Sequence, residues 1–267
     1  MTDQCPACGS ASRETIASWA DWERAAALRD DGPMRLEAAR ACGVADDAPV
    51  FRKCADCGSV ALFPMPRPDQ LSAFYQNYHA AGSFEAKAEK KIFRASRRIR
   101  PLMLLTKGRR FLDVGGSIGT AAEAARRLGF EASSIELDEA AVEKGRELFP
   151  DGKHVVGVID DLPTDEKFDL IFLAEIIEHV IDPEGLARSV FDRLGPGGIV
   201  FLTTPDASHF RRPRDFMTWK SVKPPEHLTL FTRKGLRALF AKAGFSPIFF
   251  KPHVKPGARM IARRPRA

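Results

Sequence analysis

No stretch of this 267-residue sequence stays apolar for the ~20 residues that a bilayer-spanning helix requires, and even residues 168–181 are broken by acids and a histidine. The N-terminus is polar and lacks the apolar core of a secretory signal. These absences argue against a membrane or exported protein and place the chain in the cytoplasm, where thiols stay reduced and free to bind metal. Internal repeats and low-complexity tracts are missing too, so the length is read as one full α/β domain with a small appendage. Tyrosine is scarce: Tyr75 and Tyr78 are the only two, in one short helical stretch with His79 directly after. Their hydroxyls are candidates to reach a substrate, although aromatic pairs at this spacing more often pack an interface.

A large charge excess is also lacking. Lys and Arg number 41 against 35 Asp and Glu, a formal +6, which four thiolates and one divalent cation would lower by two. The basic residues are nonetheless clustered: Arg94, Arg97, Arg98 and Arg100 in one run, Arg211, Arg212 and Arg214 in a later loop, and Arg259, Arg263, Arg264 and Arg266 near the end. Such clusters can bind phosphate-bearing molecules, or simply form a solvated face. They lack the interleaved aromatics that stack on bases, so nucleic acid is not the favoured partner.

Of the five cysteines, four fall in two pairs, Cys5-Pro6-Ala7-Cys8-Gly9 and Cys54-Ala55-Asp56-Cys57-Gly58. Each spacing lets one tight turn aim both sulfurs at one point, and two such turns complete a closed four-thiolate zinc site of the structural kind. Two disulfides, or unrelated thiols, are the competing readings. Neither explains a glycine after both pairs, and the first needs an oxidising compartment. The long stretch between the pairs reads as an insertion, helical over residues 19–42. Cys42, the odd thiol, suits a small buried side chain.

The proline-rich segment Leu62-Phe63-Pro64-Met65-Pro66-Arg67-Pro68 marks the exit from this module, and the domains are placed at residues 1–83 and 84–267. Helical periodicity follows over 69–78 and 84–105. From residue 110 the pattern alternates: strands at 110–114, 131–136, 154–158, 168–173 and 199–203, and helices at 120–128, 139–148 and 183–194. A turn at 195–198, a helix at 233–243 and a closing hairpin of strands at 245–250 and 260–262 complete it. Strands apolar throughout, alternating with helices, imply a parallel sheet covered on both faces, with ligands at the carboxyl ends of its strands.

The first of these strands runs into Asp113-Val114-Gly115-Gly116-Ser117-Ile118-Gly119. Glycines at a strand tip let backbone approach a ligand closely. A dinucleotide site would bring pyrophosphate onto the helix N-terminus, but an acid two residues before the first glycine suits a cation better. Glu136, at the end of the second strand, is placed to hold ribose hydroxyls, as it would be for either cofactor.

This combination resembles the class I S-adenosylmethionine-dependent methyltransferases over residues 84–263. The resemblance is carried by Phe111 to Gly119, Ser134-Ile135-Glu136, Phe168 to Phe172, Glu178-His179-Val180, Leu194 to Gly198, Thr204-Pro205-Asp206, His227 to Phe231 and Ala243-Gly244-Phe245. It implies a doubly wound, mostly parallel seven-stranded α/β sheet of the Rossmann-like kind, with S-adenosylmethionine as cofactor. Asp113, Gly115, Gly116, Ser117 and Gly119 would shape the methionine side of the pocket, Glu136 would hold the ribose, Asp160 would border the adenine, and Glu175 would stand beside the cofactor. Two departures stand out: Ser117 replaces a usual glycine, and Val158 occupies a place where many relatives carry an acid. The zinc module, down to Phe74-Tyr75-Gln76-Asn77-Tyr78, resembles one found ahead of this domain in sugar-modifying and polysaccharide-associated methyltransferases, where the zinc is structural.

Two constellations can assist the chemistry. If Glu175-Ile176-Ile177-Glu178-His179 is helical, Glu175, Glu178 and His179 share a face able to hold a divalent ion, and the same pattern occurs in methyltransferases of ubiquinone biosynthesis. The blander reading, that Glu178 and His179 cap and orient the loop, is preferred. The second is Glu226-His227, which resembles the pair of sugar C-methyltransferases in which the histidine takes a proton and the carboxylate orients it. The reading adopted is a methyltransferase acting on a small molecule: a sugar, sugar nucleotide or related metabolite. The alternatives are an RNA methyltransferase using the zinc ribbon as a nucleic-acid contact, and a non-catalytic zinc-ribbon scaffold. Nothing in the sequence specifies an oligomeric state.

Overall fold

The computed structural model describes residues 4–77 and 87–266. Its larger sheet has seven strands in the order β10-β11-β8-β7-β4-β5-β6. They are β4 (Arg110–Val114), β5 (Glu131–Glu136), β6 (Lys153–Val156), β7 (Phe168–Ala174), β8 (Leu194–Pro205), β10 (Ile248–Phe250) and β11 (Gly257–Arg263). The strands from β8 through β6 are parallel, and β11 enters antiparallel against β8 and carries β10 as a hairpin. Both faces are covered, which is why the central strands read as unbroken apolar runs. Helices α4 (Ala88–Ile99), α5 (Thr120–Arg127) and α6 (Glu139–Leu148) bury Ile92, Ile99 and Ala124 against Phe111, Phe172 and Phe201 on one side. Helices α7 (Pro183–Arg193) and α8 (Arg233–Lys242) bury Val190, Leu236 and Phe240 on the other.

The elements match the sequence reading closely, with local differences. The strand expected over 154–158 ends at Val156, before Gly157 with φ +140°. The turn expected at 195–198 lies within β8 as an irregularity, where pairing with β7 shifts register between Phe168 and Leu170.

The N-terminal module is a four-stranded antiparallel sheet, β1 (Arg13–Ser18), β2 (Val50–Cys54), β3 (Val60–Phe63) and β9 (Thr229–Leu230). β9 comes from the far half of the chain. The helix expected over 19–42 is broken into α1 (Trp19–Ala26) and α2 (Gly32–Ala41). Gly32 lies so close under the carbonyl of Ala26 that a Cβ would sit 1.7 Å from its oxygen, and a proline in the first turn starts the new helix. Helix α3 (Pro68–Asn77) follows the proline-rich exit. Trp22, fully buried, anchors a core that joins α1, α2, β2, β3 and Phe74 of α3 to Met217, Trp219 and Val222 of the loop after β8. Among the described residues, no helix is long and apolar enough to cross a membrane.

Candidate active site and metal centre

The turn after β4 is built from backbone that only glycine adopts readily: Gly115 has φ +66° and Gly119 φ +78°. A Cβ on Gly119 would lie 2.5 Å from the His154 ring, and one on Gly116 would lie 2.9 Å from Asp113 Oδ2. Ser117 takes a left-handed φ of +51°, the conformation that the missing glycine would have supplied. The amide groups of Gly115, Gly116, Ser117 and Gly119 are already committed. Gly115 and Gly116 N–H donate to the Ile135 carbonyl at 2.9 and 3.2 Å, and Ser117 N–H donates to Glu136 Oε2 at 2.9 Å. A pyrophosphate cradle needs such donors free, whereas this turn offers two acids. Asp113 lies buried beneath it, accepting hydrogen bonds from the backbone of Ala121 and Ala122; burial, and then Glu136, push its carboxyl up to about 7. The donor set therefore fits a cationic cofactor such as S-adenosylmethionine and not an anionic one. Glu136 Oε1 also accepts Leu137 and Asp138 N–H, at 2.8 and 3.2 Å, leaving its capacity for ribose mainly on Oε2. Asp160 is exposed just after β6.

After β7 the chain turns through Glu175, whose φ is +59°. Residues 175–179 form a turn, not the helix on which a shared face of Glu175, Glu178 and His179 depended. Ile176 packs over Gly115, the reason a Cβ there would lie 2.1 Å from its Cδ1. Glu178 is fully buried: Oε2 accepts the Thr204 hydroxyl at 2.9 Å, and Oε1 has no hydrogen-bond partner. Burial, and then Glu175, raise its carboxyl well above the ordinary range. Its backbone carbonyl accepts Leu228 N–H at 2.8 Å and Thr229 N–H at 3.2 Å. That link places His227 beside His179, with their rings edge to face and centroids 4.7 Å apart.

His227 Nδ1–H donates to the Ser221 carbonyl at 2.8 Å, which leaves the lone pair on Nε2. Burial, and then His179, hold this imidazole down to about 3, so it is neutral at ordinary pH. Its orientation does not come from Glu226, as the sequence suggested. Glu226 is ion-paired to Arg35 of α2, a buried guanidinium that also binds Asp31 at 2.7 Å. Burial works to raise the Glu226 carboxyl, but Arg35 outweighs it and the net shift is downward. Tyr75 brings its hydroxyl within 3.4 Å of His179 Nδ1. Desolvation, followed by Glu226, Glu178 and Glu136, raises that phenol above its usual range. Tyr78 and His79 lie outside the described residues.

A ligand atom from each of Glu178, His179 and His227 lies within 4.8 Å of the others. The convergent set therefore includes His227 rather than Glu175, which corrects the set expected for a divalent ion. Sequence reasoning missed Arg35 and Ser221, because each acts on its partner through folding alone and neither belongs to a motif.

The paired cysteines meet as their spacing requires. Cys5 and Cys57 sulfurs are 3.7 Å apart, Cys8 and Cys54 3.6 Å, and all four lie within 4.8 Å of one another. Four sulfurs at about 2.3 Å from a tetrahedral zinc would be spaced at about 3.8 Å, so the residues fit that ion. Both knuckles are alike. Gly9 N–H donates to the Cys5 carbonyl and Gly58 N–H to that of Cys54, and the glycines have φ of +79° and +76°. This is the physical reason for a glycine after each pair. Cys42 is buried and free.

The knuckle is keyed into the main domain. Thr232 caps α8 by accepting Gly235 N–H at 3.0 Å, and its hydroxyl donates to the Cys57 carbonyl at 2.6 Å. Its own N–H donates to Ser59 Oγ at 3.1 Å. A Cβ on Gly235 would lie 2.2 Å from Ser59 Oγ and 3.4 Å from Cys57 Sγ.

Comparison with known proteins agrees with this geometry. A family model described as a methyltransferase domain matches residues 84–248, more than half the chain. Over 103 residues, 36% of this chain and 43% of the relative, the sequence is 35% identical to the ubiquinone biosynthesis O-methyltransferase of Xanthomonas campestris, so the match spans less than half of that protein. The fold is shared with an S-adenosylmethionine-dependent methyltransferase from Mesorhizobium loti, at TM-score 0.52 and 19% identity over 63% of this chain and 96% of that one. It is also shared with human N-acetylserotonin methyltransferase bound to S-adenosylmethionine, at TM-score 0.53 and 18% identity over 76% and 61%. With its glycine turn, two acids and seven-stranded sheet, the chain belongs to the methyltransferase-domain family of class I S-adenosylmethionine-dependent enzymes.

Proposed function

We propose that the acceptor is a small molecule, a sugar, sugar nucleotide or related metabolite, bound at the carboxyl ends of the strands with His227 as general base. The observation that carries this reading is the meeting of Tyr75, His179 and His227, from separate segments, around the buried Glu178 and beside the glycine turn. The cofactor supplies an electrophilic methyl on a sulfonium. The chain must hold the acceptor in line with it and, where the acceptor is a hydroxyl or an activated carbon, remove one proton. His227 Nε2, kept free of a proton by burial and His179, accepts that proton as the new bond to the methyl forms; the nearby Glu226 carboxylate and the Ser221 carbonyl, bonded to Nδ1–H, oppose the burial and stabilise the resulting imidazolium. Tyr75 and His179 orient the acceptor, while Arg35 keeps Glu226 charged beside the site.

His227→Asn is expected to lower kcat by about 10²- to 10⁴-fold while leaving the Kd for S-adenosylmethionine unchanged, with adenosylhomocysteine release followed over nucleotide sugars and hydroxylated metabolites. Unchanged turnover would exclude His227 as the base. The convergence of Glu178, His179 and His227, with Glu178 Oε1 lacking a hydrogen bond and 3.9 Å from His179 Nε2, favours a second reading, a divalent ion at that point. Stimulation of a chelator-stripped but zinc-replete enzyme by Mg²⁺ or Mn²⁺ would support it. The RNA reading is weakened by the packing of Cys5, Cys54 and Cys57 into the main core, which gives the module a structural role without a nucleic-acid contact. The scaffold reading is weakened by a glycine turn and acid pair kept in working geometry.

A further inference from the structure

A cavity of about 120 Å³ opens beside the paired histidines, between the carboxyl end of β8 and the start of β11. Whole small-molecule ligands occupy about 300 Å³ or more, so this space suits one group of a larger ligand. Two of its walls belong to the active site: Thr204, whose hydroxyl binds Glu178, and Ser221, whose carbonyl holds His227. A group lodged here is therefore one side chain away from the groups assigned to methyl transfer.

The opposite wall is cationic. Arg98 of α4 and Arg259 of β11 both line the cavity, and among the described residues neither guanidinium makes a hydrogen bond or an ion pair. Burial, and then the neighbouring Arg259, hold Arg98 below the usual guanidinium value; Glu175 acts in the opposite sense, and Arg94 adds to the repulsion. Glu175 is the one carboxylate among the lining residues. It can balance one of the two facing arginines and leaves a net positive charge. His253, also in the lining, donates Nδ1–H to the Lys255 carbonyl at 3.0 Å, so its Nε2 is not engaged by that bond. Other partly buried arginines on this chain have carbonyl or carboxylate partners, Arg29 and Arg35 among them. Unpaired, partly desolvated guanidiniums facing one another are unfavourable until an anion joins them, and their planar forks match phosphate oxygens in pairs.

We propose that this cavity is an oxyanion subsite in which Arg98 and Arg259 hold a phosphoryl group of the methyl acceptor. It deepens the reading above, resting on an acceptor bound beside His227, and narrows the substrate class to phosphorylated or nucleotide-linked small molecules. A phosphoryl group presents tetrahedrally disposed oxygens that two guanidinium forks can share, which a flat carboxylate does not, and its first negative charge matches the one net positive charge that Glu175 leaves.

Calorimetry of the zinc-loaded protein with inorganic pyrophosphate, using acetate and chloride at matched ionic strength as references, tests the assignment without requiring turnover. Pyrophosphate should bind the wild type, acetate at least tenfold more weakly, and Arg98→Gln or Arg259→Gln should each weaken pyrophosphate at least tenfold. Arg188→Gln, on an exposed ion pair elsewhere, should leave it unchanged. Arg98→Lys should retain part of the binding, and S-adenosylmethionine affinity should hold in every variant, which reports that the fold is intact. The proposal is overturned if pyrophosphate binds no better than acetate, or if the glutamine variants that still bind S-adenosylmethionine also keep pyrophosphate. It is overturned equally if Arg188→Gln loses as much. Failure of the wild type to bind S-adenosylmethionine would instead strike at the parent reading.

Discussion

A single carboxyl sets the pH response of the cofactor site. Asp113 is held near 7 when nothing cationic lies above it, so it is largely protonated below that pH. An acid whose folded value lies above its unfolded value of 3.8 weakens the fold as pH rises from 3.8 through 7, because the native state binds the extra proton. A bound cation reverses the balance by favouring the ionised form. S-adenosylmethionine should therefore bind more tightly as pH rises from 6 to 8 and release a proton near pH 7; calorimetry in buffers of different ionisation enthalpy measures both. Asp113→Asn should flatten that dependence. At Gly119 an alanine would meet the His154 ring in a backbone conformation L residues avoid. Gly119→Ala is expected to cost at least 1–2 kcal/mol by thermal melt and to weaken the cofactor. Both positions were visible in the sequence, because an acid and glycines at a strand tip form a local pattern. The orienting partner of His227 was not, since a backbone carbonyl six residues away leaves no trace in residue type.

Among elements, the insertion between the cysteine pairs has the clearest physical role. Helix α1 and the turn that joins it to α2 grip the loop after β8: Trp22 Nε1–H donates to the Val222 carbonyl at 3.3 Å, and Arg29 donates to the carbonyls of Val222, at 2.8 Å, and of Met217 and Trp219. Arg35 completes the grip on Glu226. This loop carries both Ser221 and His227, so the insertion positions the proposed base without touching substrate. Arg29→Ala should leave S-adenosylmethionine affinity intact, lower kcat and increase protease cleavage between residues 206 and 228. Equal kcat in the variant would show that the loop needs no such support. Helical periodicity revealed the insertion but not its break or its partner, because the break depends on Gly32 meeting the Ala26 carbonyl, and the grip joins segments about 190 residues apart.

At the scale of the whole molecule, the two cysteine knuckles were the most legible feature and their position the least. Spacing alone pointed to four converging thiols; nothing local showed that three of them would lie in the same apolar cluster as Leu236 and Phe240 of α8. A structural zinc at this four-thiol centre would contribute directly to folding free energy, so chelation should lower the melting temperature of the entire chain in one transition rather than release a separate module. Calorimetry with and without a strong chelator distinguishes the two. Thr232→Val, which removes both the helix cap and the bond to Cys57, should cost about 1–3 kcal/mol and accelerate zinc loss to a chromogenic chelator.

The bond between Thr232 and Cys57 spans 175 positions. At ~5–20 residues per second, a ribosome would deliver the hydroxyl roughly 10 to 35 s after the thiolates have emerged. Throughout that interval the metal can be captured, but the open edge of β3 has no neighbour until Thr229 and Leu230 arrive. Translation speed, and not only metal supply, thereby sets how long a nascent molecule is exposed to pairing with the wrong strand.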